Sequence, residues 1–76
     1  MLDEFKKLMK EQYDIDNIEL SSNFKTDFDL SSFDFIELIC LVEERYGIEM
    51  DEDDYKSLNT VEDMITYIQE KLVSNH

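Results

Sequence analysis

Seventy-six residues carry seven basic and twenty acidic side chains, a net charge of −13, with 42% apolar residues and one cysteine, Cys40. That length allows a single domain, residues 1–76, with a thin core. The lone cysteine excludes an intramolecular disulfide, and no apolar run approaches the roughly 20 residues that a bilayer span requires.

The charge argues against nucleic acid and anionic membranes as partners, since both repel such a surface. It favours proteins with basic patches, met quickly through electrostatic steering. The alternative is that the acids only keep a small protein soluble. Five phenylalanines and four tyrosines argue against disorder. The N-terminal MLDEFKKLMKEQ is charged throughout and lacks signal-peptide character, so a cytoplasmic monomer without membrane insertion is expected.

Leu2, Phe5, Leu8 and Met9 fall at helical spacing and predict a first helix over about 2–13. The connection from Asp14 to Ser31 is long for a helix–helix loop. Ile15, Ile18, Leu20, Phe24, Phe28 and Leu30 are spread along it and can pin it to a core, so it is expected to be ordered. A second helix follows from Ser32 to Tyr46, stopped by Gly47, because glycine accepts the left-handed conformation that ends helices. EMDEDDYKSL predicts a turn or short helix around Glu52–Ser57. The last helix begins at Thr60, where TVED has the form of a capping box between Thr60 and Asp63. Its apolar stripe is Val61, Met64, Ile65, Ile68 and Leu72. With no proline and poor strand signals, the predicted fold is all-α: a small four-helix bundle of three main helices and one short one.

SSFD, Ser31–Asp34, is also a capping box: Ser31 suits the N-cap and Asp34 stands three residues later. Ser32 then occupies the first helical position, where capping does not need its side chain. Either both serines serve the helix end, or Ser31 caps while Ser32 carries something. Wound at 3.6 residues per turn, the second helix places Phe35, Leu38, Ile39, Val42 and Tyr46 toward the core and Asp34, Glu37 and Glu44 roughly opposite. Phe33, Ile36, Cys40 and Leu41 do not fit the core stripe. Apolar side chains among acids on an exposed face suit a docking surface; the alternative is that a neighbouring helix covers Phe33 and Cys40.

No metal site is expected. MDEDD, Met50–Asp54, lacks the spacing and the distal glutamate of a calcium loop, and DIDN, Asp14–Asn17, fails likewise. Cys40 has no neighbouring cation and reads as a packing or docking residue. The lone histidine is the terminal His76, so a Ser/His/Asp constellation is not expected, and no catalytic residue is assigned. Tyr13, Tyr46, Tyr55 and Tyr67 fall at core-like positions.

FKTDFDLSSFDFIELICLVEERYGIEMDEDDYKSLNTVEDMITYI, Phe24 to Ile68, resembles the acyl carrier protein family. ELICLVEERYGIEM and NTVEDMITYI carry the likeness together, and no gap is needed. The resemblance implies a non-catalytic carrier with 4′-phosphopantetheine attached to Ser32 by a separate phosphopantetheinyl transferase. The arm would hold an acyl intermediate as a thioester for enzymes of fatty acid, polyketide or related biosynthesis. It also implies docking of loading and synthase enzymes, through their basic patches, on Phe33, Asp34, Ile36, Glu37, Cys40, Glu43 and Glu44. Because the chain stops soon after the last helix, a free-standing carrier is expected.

Four positions depart from the family pattern. Ser31 replaces an aspartate, which bears on recognition by a standard transferase; Phe33 replaces a leucine; Asp29 stands where glycine is favoured and Asp51 where proline is common. Phe33 is partly shared with D-alanyl carrier proteins. Leu41, Tyr55 and Met64 stand where smaller residues are frequent, which suggests a narrow cavity for short or aminoacyl cargo. The rival readings are an aminoacyl or D-alanyl carrier in a specialised pathway, an unmodified acidic interaction module, and an acidic mimic of nucleic acid.

Overall fold

Phe5, Leu8 and Met9 bury one face of helix α1, Leu2–Tyr13, while Asp3 and Glu4 in its first turn and Lys10 in its last suit the helix dipole. The computed structural model describes residues 2–74, and His76 lies outside them. Helix α2 spans Ser32–Tyr46, a 3₁₀ helix spans Glu52–Ser57, and helix α3 spans Val61–Ser74. None is long and apolar enough to cross a membrane. The core is one cluster drawn from all three long helices and both connections, including Phe5, Phe24, Leu38, Val42, Met64 and Ile68.

Each helix end has a local cause. α1 stops at Asp14, which adopts a left-handed φ of 57°. The Lys10 ammonium lies 2.7 Å from both Asp14 and Asp16, and those hydrogen bonds hold its pKa above the ordinary lysine range. α2 stops at Gly47, with φ 65°; the Gly47 and Ile48 amides both donate to the Glu43 carbonyl, at 2.9 and 3.2 Å. At the start of α3, the Asp63 amide donates to Thr60 Oγ1 at 3.2 Å and the Thr60 amide donates to the Asp63 carboxylate at 3.1 Å. This is the expected box, with Thr60 as the cap just outside the helix.

The long connection is ordered, as its apolar residues suggested. Its backbone completes α3: the Val61 and Glu62 amides donate to the carbonyls of Ser22 and Leu20, at 3.0 and 2.9 Å. With the Thr60 and Asp63 amide bonds of the capping box, the four open donors of that helix start are all satisfied. Ile18 and Phe24 are buried, and Ile15, Phe28 and Leu30 pack partly against the core. Leu20 does not pin the loop. Its carbonyl is spent on Glu62 at the rim, and its side chain is left 42% exposed.

α2 buries Phe35, Leu38, Ile39 and Val42, and the fifth expected core residue, Tyr46, packs half-buried against them. Leu41, which winding placed outside the core stripe, also packs half-buried against it. It sits at the stripe's edge, and a small bundle curves enough to reach it.

Candidate attachment site and docking face

The connection delivers Leu30 to the core, pinned by its amide bond to the Phe24 carbonyl at 3.1 Å, and α2 opens immediately afterwards. Ser31 is the N-cap, in extended conformation at φ −74° and ψ 171°. Its Oγ accepts from the Asp34 amide at 3.2 Å and donates to Asp34 Oδ2 at 3.0 Å. The same carboxylate oxygen accepts from the Ser31 amide at 3.2 Å. Each partner of the capping box therefore holds the other through both side chain and backbone.

Ser32 differs. It is the first residue of α2, it is exposed, and its hydroxyl makes no hydrogen bond among the described residues. The amides of Ser32 and Phe33, at the open helix start, find no acceptor among the described residues. A primary hydroxyl free in water, beside unpaired amides at the positive end of a helix, suits a phosphate ester.

Phe33, Ile36, Glu37, Cys40 and Glu44 line up along one exposed stripe of α2. Phe33 is 77% and Ile36 45% exposed, so no neighbouring helix covers them. Asp34 and Glu43, expected on the same face, flank it instead. Asp34 is committed to the capping box, and Glu43 Oε2 accepts from the Met50 amide at 3.0 Å. Both are half-buried. The acids free to meet a partner on this stripe are Glu37 and Glu44.

Tyr13 was legible only as a core-like position. Its hydroxyl donates to the Asp34 carbonyl at 3.4 Å, tying the end of α1 to the first turn of α2. Burial first, then the negative charges of Glu37 and Asp34, push its phenol above the usual range. Tyr67 was missed as a hub. Its hydroxyl donates to Asp54 Oδ2 at 2.8 Å and accepts from the Asp51 amide at 3.2 Å, latching the 3₁₀ helix to α3. That latch depends on a departure already noted: Asp51 has φ −75°, which proline would share, but only a residue with an amide proton can reach Tyr67. None of the 3₁₀ helix's own residues is fully buried, and the latch adds to the half-buried packing of Tyr55 in holding it. In Tyr67→Phe, amides 52–58 are expected to exchange about fivefold faster, for the roughly 1 kcal/mol of a hydrogen bond, with protection in α1 and α2 unchanged. Hydrogen exchange followed by mass spectrometry measures this, and equal acceleration across all helices would show a global role instead.

Of the residues expected to narrow an inner cavity, Met64 is fully buried, while Leu41 and Tyr55 pack half-buried against the core. Burial, then the neighbouring Glu43 charge, raises the Tyr55 phenol. Asp29 has φ 53°, the left-handed conformation expected where the family favours glycine.

The family model for the phosphopantetheine attachment site matches residues 3–68. The chain belongs to the acyl carrier protein family. It is 37% identical to an acyl carrier protein of Chlamydia trachomatis serovar D, over 91% of this chain and 92% of that protein. It is 29% identical to acyl carrier protein 3 of Ralstonia nicotianae, over 97% and 87%. The fold matches the crystal structure of an acyl carrier protein from Thermotoga maritima with a TM-score of 0.86, at 18% identity, over 99% of this chain and 89% of the other. As in its family, the carrier's cofactor is covalently attached 4′-phosphopantetheine, which supplies a thiol at the end of a flexible arm. The start of α2 fits that group, offering an unengaged hydroxyl and open amides.

Proposed function

We propose that Ser32 is the residue that bears the arm. The observation that carries this reading is the contrast between adjacent hydroxyls: Ser31 accepts and donates within the capping box, whereas Ser32 is exposed and unengaged at the mouth of α2. The chain's own residues have a limited chemical task. Ser32 presents an oxygen; the capping box and Tyr13 hold the first turn of α2; the stripe from Phe33 to Glu44 meets other proteins. Activation of the serine is left to a separate phosphopantetheinyl transferase. The thiol then holds an acyl group as a thioester while loading and synthase enzymes of fatty acid, polyketide or related biosynthesis dock in turn. Their basic and apolar patches match Glu37, Glu44, Phe33 and Ile36.

Incubation of the apo protein with coenzyme A and a broad-specificity transferase, read by intact mass, tests the assignment. One phosphopantetheinyl unit is expected on the parent and on Ser31→Ala, and none on Ser32→Ala. A parent protein that stays unmodified with several transferases would favour an unmodified interaction module.

A further inference from the structure

Two primary hydroxyls stand one residue apart at the mouth of α2, and both serines are exposed. A transferase that docks on α2 therefore meets two candidate nucleophiles. We propose that the Ser31–Asp34 capping box decides between them: Asp34 is a specificity-determining residue that silences Ser31 and leaves Ser32 as the acceptor. This rests on the Ser32 reading and adds the reason that the choice is single-valued.

The chemistry separates the two sites. In the transfer, a serine oxygen forms a new bond to the pantetheine-bearing phosphorus of coenzyme A. The diphosphate P–O bond breaks, adenosine bisphosphate leaves with the bridging oxygen, and the serine proton passes to the transferase or solvent. At Ser31 the hydroxyl donates to Asp34 Oδ2 at 3.0 Å and its oxygen accepts from the Asp34 amide at 3.2 Å, so the two bonds fix that oxygen in the cap instead of leaving it free to turn toward a partner. Esterification would end the donation and turn the cap oxygen into a poor acceptor. It would also bring an anionic phosphodiester against the Asp34 carboxylate, where like charges repel. At Ser32 the same reaction breaks no hydrogen bond among the described residues. An N-cap side chain alone is worth about tenfold in an equilibrium, so a preference for Ser32 of at least about that size is expected.

The test maps the modified serine by fragment mass spectrometry after incubation with coenzyme A and a broad-specificity transferase. The parent is expected to load on Ser32, and Ser32→Ala to stay unloaded over the time in which the parent loads fully. Asp34→Ala, with Ser32 present as an internal reference for folding and docking, is expected to carry part of its label on Ser31. Ser32→Ala/Asp34→Ala loses the Ser31 hydroxyl bond to the carboxylate while keeping the backbone amide bond of the cap, and is expected to load Ser31 about tenfold faster than Ser32→Ala, the worth of a hydrogen bond to a charged group. Asp34→Asn keeps an acceptor oxygen for both Ser31 donors and is expected to restore exclusive use of Ser32, a rescue that a purely structural role would not produce. Asp34→Gln, whose oxygen is displaced by one methylene, replaces Asp34→Ala should that variant not fold, with the same label on Ser31 expected. Exclusive loading of Ser32 in the folded Asp34→Ala or Asp34→Gln protein overturns the proposal, as does loading of Ser31 in Ser32→Ala, with Asp34 intact, as fast as in Ser32→Ala/Asp34→Ala. An unlabelled parent overturns the Ser32 reading instead.

Discussion

Phe24→Ala is expected to lower the free energy of unfolding by about 3–5 kcal/mol, the range for removing a fully buried aromatic ring. Phe24 is 1% exposed, although it lies in the connection between α1 and α2. Its ring meets Phe5 of α1 at 6.2 Å and Phe28 at 6.0 Å, both edge-on, and Phe35 of α2 at 5.4 Å. Such pairs add to simple area burial. The backbone of the same residue donates to the Asn59 carbonyl at 3.0 Å, just ahead of α3, and accepts from Leu30 at 3.1 Å. One residue thus joins three helices and holds the last apolar anchor before the Ser31 cap.

A domain of this size has a total stability of roughly 4–11 kcal/mol at the usual per-residue yield. Losing the Phe24 ring would remove a large share of it, and a partly unfolded protein at room temperature is an expected outcome. Denaturant unfolding of the variant and the parent, followed by circular dichroism, measures the difference. A midpoint shift worth less than about 1 kcal/mol would show that the surrounding rings collapse into the space and that the junction lies elsewhere. Asn23 reinforces the same place: its Oδ1 accepts from the Lys25 and Thr26 amides, and its own amide donates to Asp27 at 2.6 Å. That turn gives the loop a rigid centre despite its length.

Helix bounds were legible because their signals are local. Ser31 with Asp34, Gly47, and Thr60 with Asp63 each act within four residues, and the structure uses all of them as the pattern proposes. The apolar stripe of α3 was readable for the same reason. The connection was only half legible. It has no period to tell an anchor from a rim residue, so Phe24, at 1% exposure, and Leu20, at 42%, looked alike. The docking face was legible as a set of residue types but not as a set of free groups. Glu43 is consumed by an amide seven residues on, and Tyr67 reaches sixteen residues back to Asp51. Such pairings depend on how the chain turns between the partners, which spacing does not encode. The double duty of Asp34 was legible in the capping box itself: one oxygen of its carboxylate holds the cap's amide and hydroxyl.

Phe33→Ala is expected to separate binding from folding. A phenylalanine 77% exposed on a helix surface adds little to the core, so the stability change should stay within about 0.5 kcal/mol. Next to the proposed attachment site, and continuous with Ile36 and Cys40, the same ring has the form of an interface anchor. Aromatic anchors of that kind cost about 2 kcal/mol or more when truncated, so kcat/KM of a phosphopantetheinyl transferase should fall at least about tenfold. Glu37→Gln and Glu44→Gln are expected to act differently. Exposed charges at a rim govern encounter, so these variants should slow association at low salt and converge on the parent as salt rises, whereas the Phe33 deficit should persist at all salt concentrations. Initial loading rates by intact mass across a salt series, with melting temperatures measured in parallel, separate the two behaviours. A variant that melts several degrees lower yet loads at the parent rate would place Phe33 in the fold's own packing and leave the acids alone to recruit partners.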